Sequence, residues 1–446
     1  MSRSTALALR WALVLTLLLA LALAGLLAWQ LRPPPWTNAP APGAAAGAAA
    51  GAVAGAVAGA EPPVSAELLL SGAMLARAGH CAGCHTERGG AAYAGGRAIP
   101  TPFGELRSPN LTPDAATGLG NWRETDFRRA LQQGQSRDGR LLLPACPYPS
   151  FTRVSDDDVQ ALWAWLRSQP PVAQAPQPHA LAWPYNTQLA IALWRSLYFR
   201  PGRFEPDATR SEQANRGAYL VNGLGHCDAC HGRRGLLGNS AALGAEGSTG
   251  GAVMPDQRWY APSLTDAAEG GVPGRDADEL VQLLKTGVSP RATVMGPMAE
   301  VVAGSTQHLA ESDLRAMVAY LQQLPATPPV AVRARAQRRD AEPLQRGRQL
   351  YQDLCTDCHG DQGQGAPGIY PPLAGNPTVT MADSRNLLQS IRRGGFPPAT
   401  AGNPRPYGMP SFDLPDADLA ALASWLRAAW GHDAAPVQAV QVLLAR

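Results

Sequence analysis

Three stretches of the chain carry one helical pattern. Val159, Leu162 and Leu166 place apolar residues at i, i+3 and i+7; so do Leu314, Met317 and Leu321, and Leu419, Leu422 and Leu426. That spacing marks one buried face of a helix. An aromatic recurs at the same place in each, as Trp165, Tyr320 and Trp425, and acidic residues gather at each helix start (Asp156 to Asp158, Glu311 and Asp313, Asp416 and Asp418). Acids there are favourable against the helix dipole. Upstream, three further short helical stretches begin at a glycine: Gly72-Ala73-Met74-Leu75, Gly217-Ala218-Tyr219-Leu220 and Gly347-Arg348-Gln349-Leu350. The chain therefore reads as an internal repeat of three units.

A different pattern opens the sequence. Trp11 to Leu31 is an uncharged, mainly apolar run of 21 residues between Arg10 and Arg32. About 20 residues are enough to cross a bilayer as a helix. With Arg3 and Arg10 on its N-terminal side, the run is expected to be an uncleaved membrane anchor that places Met1 in the cytoplasm and the bulk of the chain outside it. A cleaved signal peptide, with Ala22-Leu23-Ala24 as the small-residue site, is the alternative, although the run outlasts a usual apolar region of 7–15 residues. Residues 1–36 form this segment. An Ala/Gly/Pro stretch, 37–60, cannot bury a core and reads as a tether.

Boundaries follow composition. Unit one spans 61–170 and closes at Pro170-Pro171. Segment 171–208 carries Trp183, Trp194, Tyr198 and Phe199 and is expected to pack on its neighbours. Unit two spans 209–325. A Pro- and Arg-rich linker, 326–339, leads to unit three, 340–432, and a free tail, 433–446, ends the chain. Val437, Val440, Val442 and Leu443 of that tail are candidates to dock on a partner.

Composition narrows the function. Charged residues are 16%, and the net charge is +3 over 446 residues, so nothing points to nucleic acid, which usually needs a strongly basic face. Seven cysteines make a pure disulfide framework implausible. Six of them fall into three C-x-x-C-H pentapeptides: Cys81-Ala82-Gly83-Cys84-His85, Cys227-Asp228-Ala229-Cys230-His231 and Cys355-Thr356-Asp357-Cys358-His359. This is the attachment pattern of c-type haem. Two thiols add to the two vinyl groups of one porphyrin, and the following histidine (His85, His231 or His359) lies under the iron. Zinc would require further Cys or His at matching spacing. A redox dithiol would sit in a βαβ pattern, which is not seen. Three covalently bound haem c groups are expected.

An electron-transfer haem takes a sixth ligand, and methionine opposite histidine raises its potential. Unit three offers Met409, in Tyr407-Gly408-Met409-Pro410-Ser411-Phe412; Met381 comes too early. Unit two offers Met295 and Met298, with Met298 preferred because a Gly-Pro turn precedes it; Met254 is early in the unit. Unit one breaks the pattern. Its equivalent is Ala145-Cys146-Pro147-Tyr148-Pro149-Ser150-Phe151, and its sole methionine, Met74, lies before the motif. The seventh cysteine, Cys146, is therefore expected to ligate the first haem. The alternatives are a buried small Cys146 with a five-coordinate haem, or one bound by water or His179.

These motifs resemble the triheme cytochrome c subunit of bacterial membrane-bound periplasmic dehydrogenases, a family that serves alcohol, gluconate, sorbitol and aldehyde dehydrogenases and some molybdenum hydroxylases. The matching segments cover about 63–440. They include Asn110-Leu111-Thr112-Pro113-Asp114, Gly118-Leu119-Gly120-Asn121-Trp122, Trp259-Tyr260-Ala261-Pro262, Met298-Ala299-Glu300-Val301-Val302 and Tyr370-Pro371-Pro372-Leu373-Ala374-Gly375-Asn376-Pro377. The resemblance implies a mainly α fold of three tandem class-I-like cytochrome c domains behind the N-terminal transmembrane helix. It implies electron transfer from a catalytic subunit carrying a quinone cofactor (PQQ), flavin or molybdenum centre to ubiquinone or a terminal oxidase or cytochrome acceptor. The expected location is the bacterial inner membrane, with the haem domains in the periplasm. The family usually has methionine where this chain has Cys146. No nucleophile–base pair or nucleotide loop is found, so no substrate chemistry is expected of the chain itself. A sulfur-compound-oxidising haem enzyme with a His/Cys-ligated site is the alternative, and a small-ligand sensor with a five-coordinate first haem a third reading.

Overall fold

The computed structural model describes residues 3–30, 64–243, 250–254, 258–327 and 341–446. The tether at 37–60 and positions 328–339 of the linker lie outside them. The fold is mainly helical, 45% helix against 7% strand.

The N-terminal run forms α1 (Arg3–Gln30), 28 residues long. Among the described residues no helix meets the length and apolarity of a membrane span. In α1 the described side chains cover only 10–25 and 28, short of the 21-residue run at 11–31.

Unit one contains α2 (Ala66–Ala78), α3 (Cys81–His85), the hairpin β1 (Ala98–Thr101) and β2 (Gly104–Arg107), α4 (Glu124–Gln133), α5 (Tyr148–Phe151) and α6 (Asp156–Arg167). The following segment adds β3 (Ala180–Leu181), antiparallel to β2, and α7 (Gln188–Tyr198). Unit two contains α8 (Glu212–Asn222), α9 (Asp228–His231), β4 (Ala252–Val253) paired with β5 (Tyr260–Ala261), α10 (Ala277–Thr286), α11 (Pro297–Gly304) and α12 (Glu311–Gln322). Unit three contains α13 (Ala341–Leu354), α14 (Thr356–His359), α15 (Pro377–Thr380), α16 (Arg385–Arg393), α17 (Asp416–Leu426) and α18 (Ala439–Leu444).

One helix crossing organises each unit: α2 on α6, α8 on α12, α13 on α17. The apolar faces expected on α6, α12 and α17 are all buried. The repeated glycines sit inside helices, not at their starts. Gly72, Gly217 and Gly347 mark the crossing points, where an added Cβ would overlap the carbonyl oxygen of Ala161, Ala316 or Ala421 and crowd the Cβ of Trp165, Tyr320 or Trp425. Only a residue without a side chain lets the two backbones approach this closely. The recurrent aromatic then packs beside the crossing: Trp165 stands edge-on to Tyr93, in the loop after α3, at 5.1 Å, Asn222 Nδ2 of α8 donates to the Tyr320 hydroxyl at 2.8 Å, and Trp425 lies 4.7 Å from Tyr351 of α13. Serines cap the entries, with Ser155 Oγ accepting from the Asp158 N–H and Ser211 Oγ from the Ala214 N–H.

Units one and two share a single apolar core, from Leu75 of α2 to Leu324 after α12. Unit three has its own, around Leu388, Leu419 and Leu422. Segment 171–208 is anchored as expected. β3 extends the hairpin, Gln188 bonds both backbone groups of Leu141, and Ile191 and Ala192 bury against Leu141.

The C-terminal residues correct the sequence reading of a free tail at 433–446. Val437, Val442 and Ala445 are buried in the core of unit three, Gln389 donates to the Ala445 carbonyl, and Arg446 pairs with Asp416. Val437 and Val442 are thus spent on the chain's own core, leaving Val440 and Leu443 exposed. Val442→Asp should lower the stability of unit three by about 3 kcal/mol or more, because an unpaired charge would be buried. Urea unfolding followed by far-UV circular dichroism measures this; an unchanged midpoint would mean an undocked tail.

Candidate functional site

Each pentapeptide occupies the turn that follows the first helix of its unit, so the helix crossing places all three motifs alike. Their histidines share one anchor. His85 Nδ1 lies 2.9 Å from the Pro109 carbonyl, His231 Nδ1 2.7 Å from that of Pro262, and His359 Nδ1 3.1 Å from that of Pro371. Donation from Nδ1 to a backbone carbonyl fixes the tautomer and the ring plane and leaves Nε2 for a metal. Burial lowers the pKa of all three imidazoles, favouring the neutral form that ligates. The prolines lie 24, 31 and 12 residues beyond their histidines. Their segments are legible as motifs in the sequence, but nothing there shows that their carbonyls hold the histidines.

No two of the seven cysteines are joined as a disulfide. Burial pushes Cys81, Cys146 and Cys227 up to about 12 and Cys355 to about 11. Two half-buried or exposed thiols on one turn, beside an anchored imidazole, fit the two thioether bonds and one iron ligand of haem c. A second basic support escaped the sequence reading. Arg97 donates to the Gly83 carbonyl and Arg234 to the Ala229 carbonyl, each at the third position of its pentapeptide. No cluster of His, Cys, Asp and Glu suited to a metal ion occurs among the described residues.

The proposed distal residues follow a glycine-capped helix, Cys146 and Met409 in loops and Met298 in the first turn of α11. α4 ends at Gly134, α10 at Gly287 and α16 at Gly394, all with positive φ. The Gly134 carbonyl then accepts from the Leu142 N–H and the Gly287 carbonyl from the Val294 N–H. Cys146 and Met298 each come four residues after that closing bond. Cys146 stands two residues ahead of α5, whereas Met298 is the second residue of α11. Burial, and after it a charge on nearby Cys84, disfavour the ionisation of Cys146. The Met295 methyl lies 3.3 Å from the position a Cβ on Gly395 of unit three would take. Met409 is backbone-paired in both directions with Gly395 and packs on the core of unit three. Met381 is buried under Arg427, which bonds its carbonyl. His179 is exposed beside the hairpin, where its Nδ1 accepts from the Arg107 N–H.

Units one and two meet through their motifs. Phe151, just after the Cys146 loop, packs edge-on to His226, and Ser150 donates to Asp228 of the second motif. Reciprocally, Glu300 of α11 pairs with Arg97, and Gly304 lies against the ring of His80, which precedes the first motif. His80 and His226 both take left-handed backbone angles to turn into their motifs. Unit two also meets unit three, through two bonds between Asn386 and the Tyr260 backbone and one from Thr400 to the Thr286 carbonyl.

Comparison with known proteins agrees with this geometry. The family described as Cytochrome c matches residues 70–170 and 344–430. The chain is 36% identical over 381 residues to the cytochrome c subunit of alcohol dehydrogenase (quinone) from Gluconobacter oxydans, covering 82% of this chain and 79% of that one. It is 34% identical over 381 residues to the gluconate 2-dehydrogenase cytochrome c subunit of Pantoea cypripedii, covering 82% and 86%. It is also 41% identical over 375 residues to a nicotinate dehydrogenase subunit of Pseudomonas putida; there the match covers 83% of this chain but only 31% of that longer protein. Cytochrome c domains bind haem c covalently, through motifs of the kind built here on α3, α9 and α14. The chain belongs to the family of dehydrogenase cytochrome c subunits.

Proposed function

We propose that this chain is a three-haem electron-transfer subunit with cytochrome c domains at 61–170, 209–325 and 340–432. It takes electrons from a dehydrogenase catalytic subunit of PQQ, flavin or molybdenum type and passes them to ubiquinone or a terminal acceptor. The carrying observation is the threefold recurrence of one construction: a C-x-x-C-H turn whose histidine Nδ1 is held by a proline carbonyl. Bound haem c supplies a one-electron ferric/ferrous couple. The protein contributes fixed imidazoles, buried surroundings and distal side chains that set each potential. Names of the relatives supply the partner class. α1 is the proposed membrane anchor, with the haem domains on the periplasmic face of the inner membrane. The reading is supported by the apolar, outward side chains of Trp11 to Leu21.

Covalent haem counted by intact mass and pyridine haemochrome should give three per chain; two or fewer overturns the count. The native complex should show haem reduction on addition of the dehydrogenase substrate. For the distal ligands the reading is Cys146, Met298 and Met409. Met298→Ala and Met409→Ala should each remove one sulfur–iron charge-transfer contribution and lower one haem potential, since a thioether favours ferrous iron. An unchanged spectrum in Met298→Ala would return the assignment to Met295.

A further inference from the structure

The helix that carries Met298 draws little support from its own core. α11 has eight residues, and Val302 alone of them is buried. Much of its seat comes from unit one, where it lies against α3. Glu300, two residues past Met298, pairs with Arg97 at 2.8 Å. At the far end of α11, Gly304 faces the His80 ring so closely that an added Cβ would fall 2.5 Å from its Cε1. Just beyond the helix, Ser305 Oγ donates to the Ala78 carbonyl at 3.3 Å, and His308 Nδ1 lies 3.3 Å from the Arg77 guanidinium. Arg77 and Ala78 close α2, and His80 leads into the first attachment turn. Both ends of α11 therefore rest on the α2–α3 corner of unit one.

Arg97 is the link that reaches the turn itself. One branch of its guanidinium donates to the Gly83 carbonyl inside the first pentapeptide, and the other to Glu300. Arg234 makes the equivalent first bond in unit two, to the Ala229 carbonyl, but its other branch turns back to the Gly238 carbonyl of its own loop at 3.5 Å. A planar guanidinium presents its donors in a fixed fork, so one arginine can hold two acceptors in a set relation. Met409 is held differently, from within unit three, by two backbone bonds with Gly395. We propose that Arg97 and Glu300 are positioning residues for haem two: they brace α11 on the first attachment turn and so keep Met298 in reach of the iron. The proposal rests on the reading of Met298 as the distal ligand of that haem. Its consequence is that unit one supports the ligation of haem two, while haem three is ligated without such help.

The test uses the full haem-loaded chain, reduced with dithionite and mixed with carbon monoxide. Carbon monoxide binds a six-coordinate ferrous haem only after the distal ligand leaves. Each methionine-ligated haem therefore gives a phase whose rate follows the population with its methionine off. Met298→Ala and Met409→Ala assign the two phases, each turning one of them into fast binding that depends on gas concentration. Arg97→Gln and Glu300→Gln should each speed the Met298 phase about fivefold, the size expected of an ion pair whose side chains are 38% and 52% exposed. The Met409 phase, read in the same molecules, should not move. The double variant Arg97→Gln with Glu300→Gln should be no faster than either single one, because the two residues act as one brace. An unchanged Met298 phase in both single variants overturns the proposal and leaves the ligand assignment standing. Equal acceleration of both methionine phases also overturns it, as general loosening of the chain. So does a double variant about 25-fold faster, which would make the two residues independent. A Met298→Ala protein that keeps every phase would remove the ligand reading and the brace together.

Discussion

Gly217→Ala should cost the chain about 3 kcal/mol or more, a large share of the 5–15 kcal/mol that usually holds a domain together. The added methyl would overlap the Ala316 carbonyl oxygen and the Tyr320 Cβ. Backbone cannot rotate away as a side-chain tip can, so α8 and α12 must part. Their separation would open the core that units one and two share, and two haem environments should suffer together. Urea unfolding followed by far-UV circular dichroism and haem absorbance should show a lowered midpoint. Gly202→Ala is the control: an added Cβ meets nothing within 4 Å, and the change should stay within about 0.5 kcal/mol. Equal midpoints for the two variants would show that the crossing is not set by close backbone approach.

The second large effect is expected at Cys146. If its sulfur ligates the first haem, that haem should lie below the other two by roughly 0.2 V or more, within the ~0.8 V that axial ligands span. A thiolate is a stronger donor than a thioether and carries charge, so it favours ferric iron. Burial alone holds the free thiol protonated, with Cys84 adding to the effect; binding to iron supplies the drive for ionisation. Electron paramagnetic resonance of the ferric protein should show a low-spin thiolate-type signal that disappears in Cys146→Ala. Cys146→Met should raise one potential toward the other two, because a thioether favours ferrous iron. A Cys146→Ala protein with unchanged spectrum and potentials would sink the assignment. The His179 alternative loses ground independently, since that ring is exposed and engaged by the Arg107 N–H.

Whatever depends on local spacing was legible in the amino-acid order. Two thiols and a histidine within five residues occupy one turn in any fold, so the three motifs could be read without coordinates. Apolar residues at i, i+3 and i+7 name the buried face of α6, α12 and α17, because helical geometry is local. What pairs residues far apart in the chain had to come from the packed fold. The spacing between histidine and proline differs in every unit, so no periodicity could reveal that Pro109, Pro262 and Pro371 hold the three imidazoles. Gly72, Gly217 and Gly347 were visible, but they read as helix starts, since their need for close approach arises only from the second helix. The tail at 433–446 looked free because its valines have no sequence-local partner; the groove that receives Val437 and Val442 is built by α16 and α17. Burial is a property of the assembled chain: an apolar residue in sequence calls for cover, and only packing decides which residues receive it.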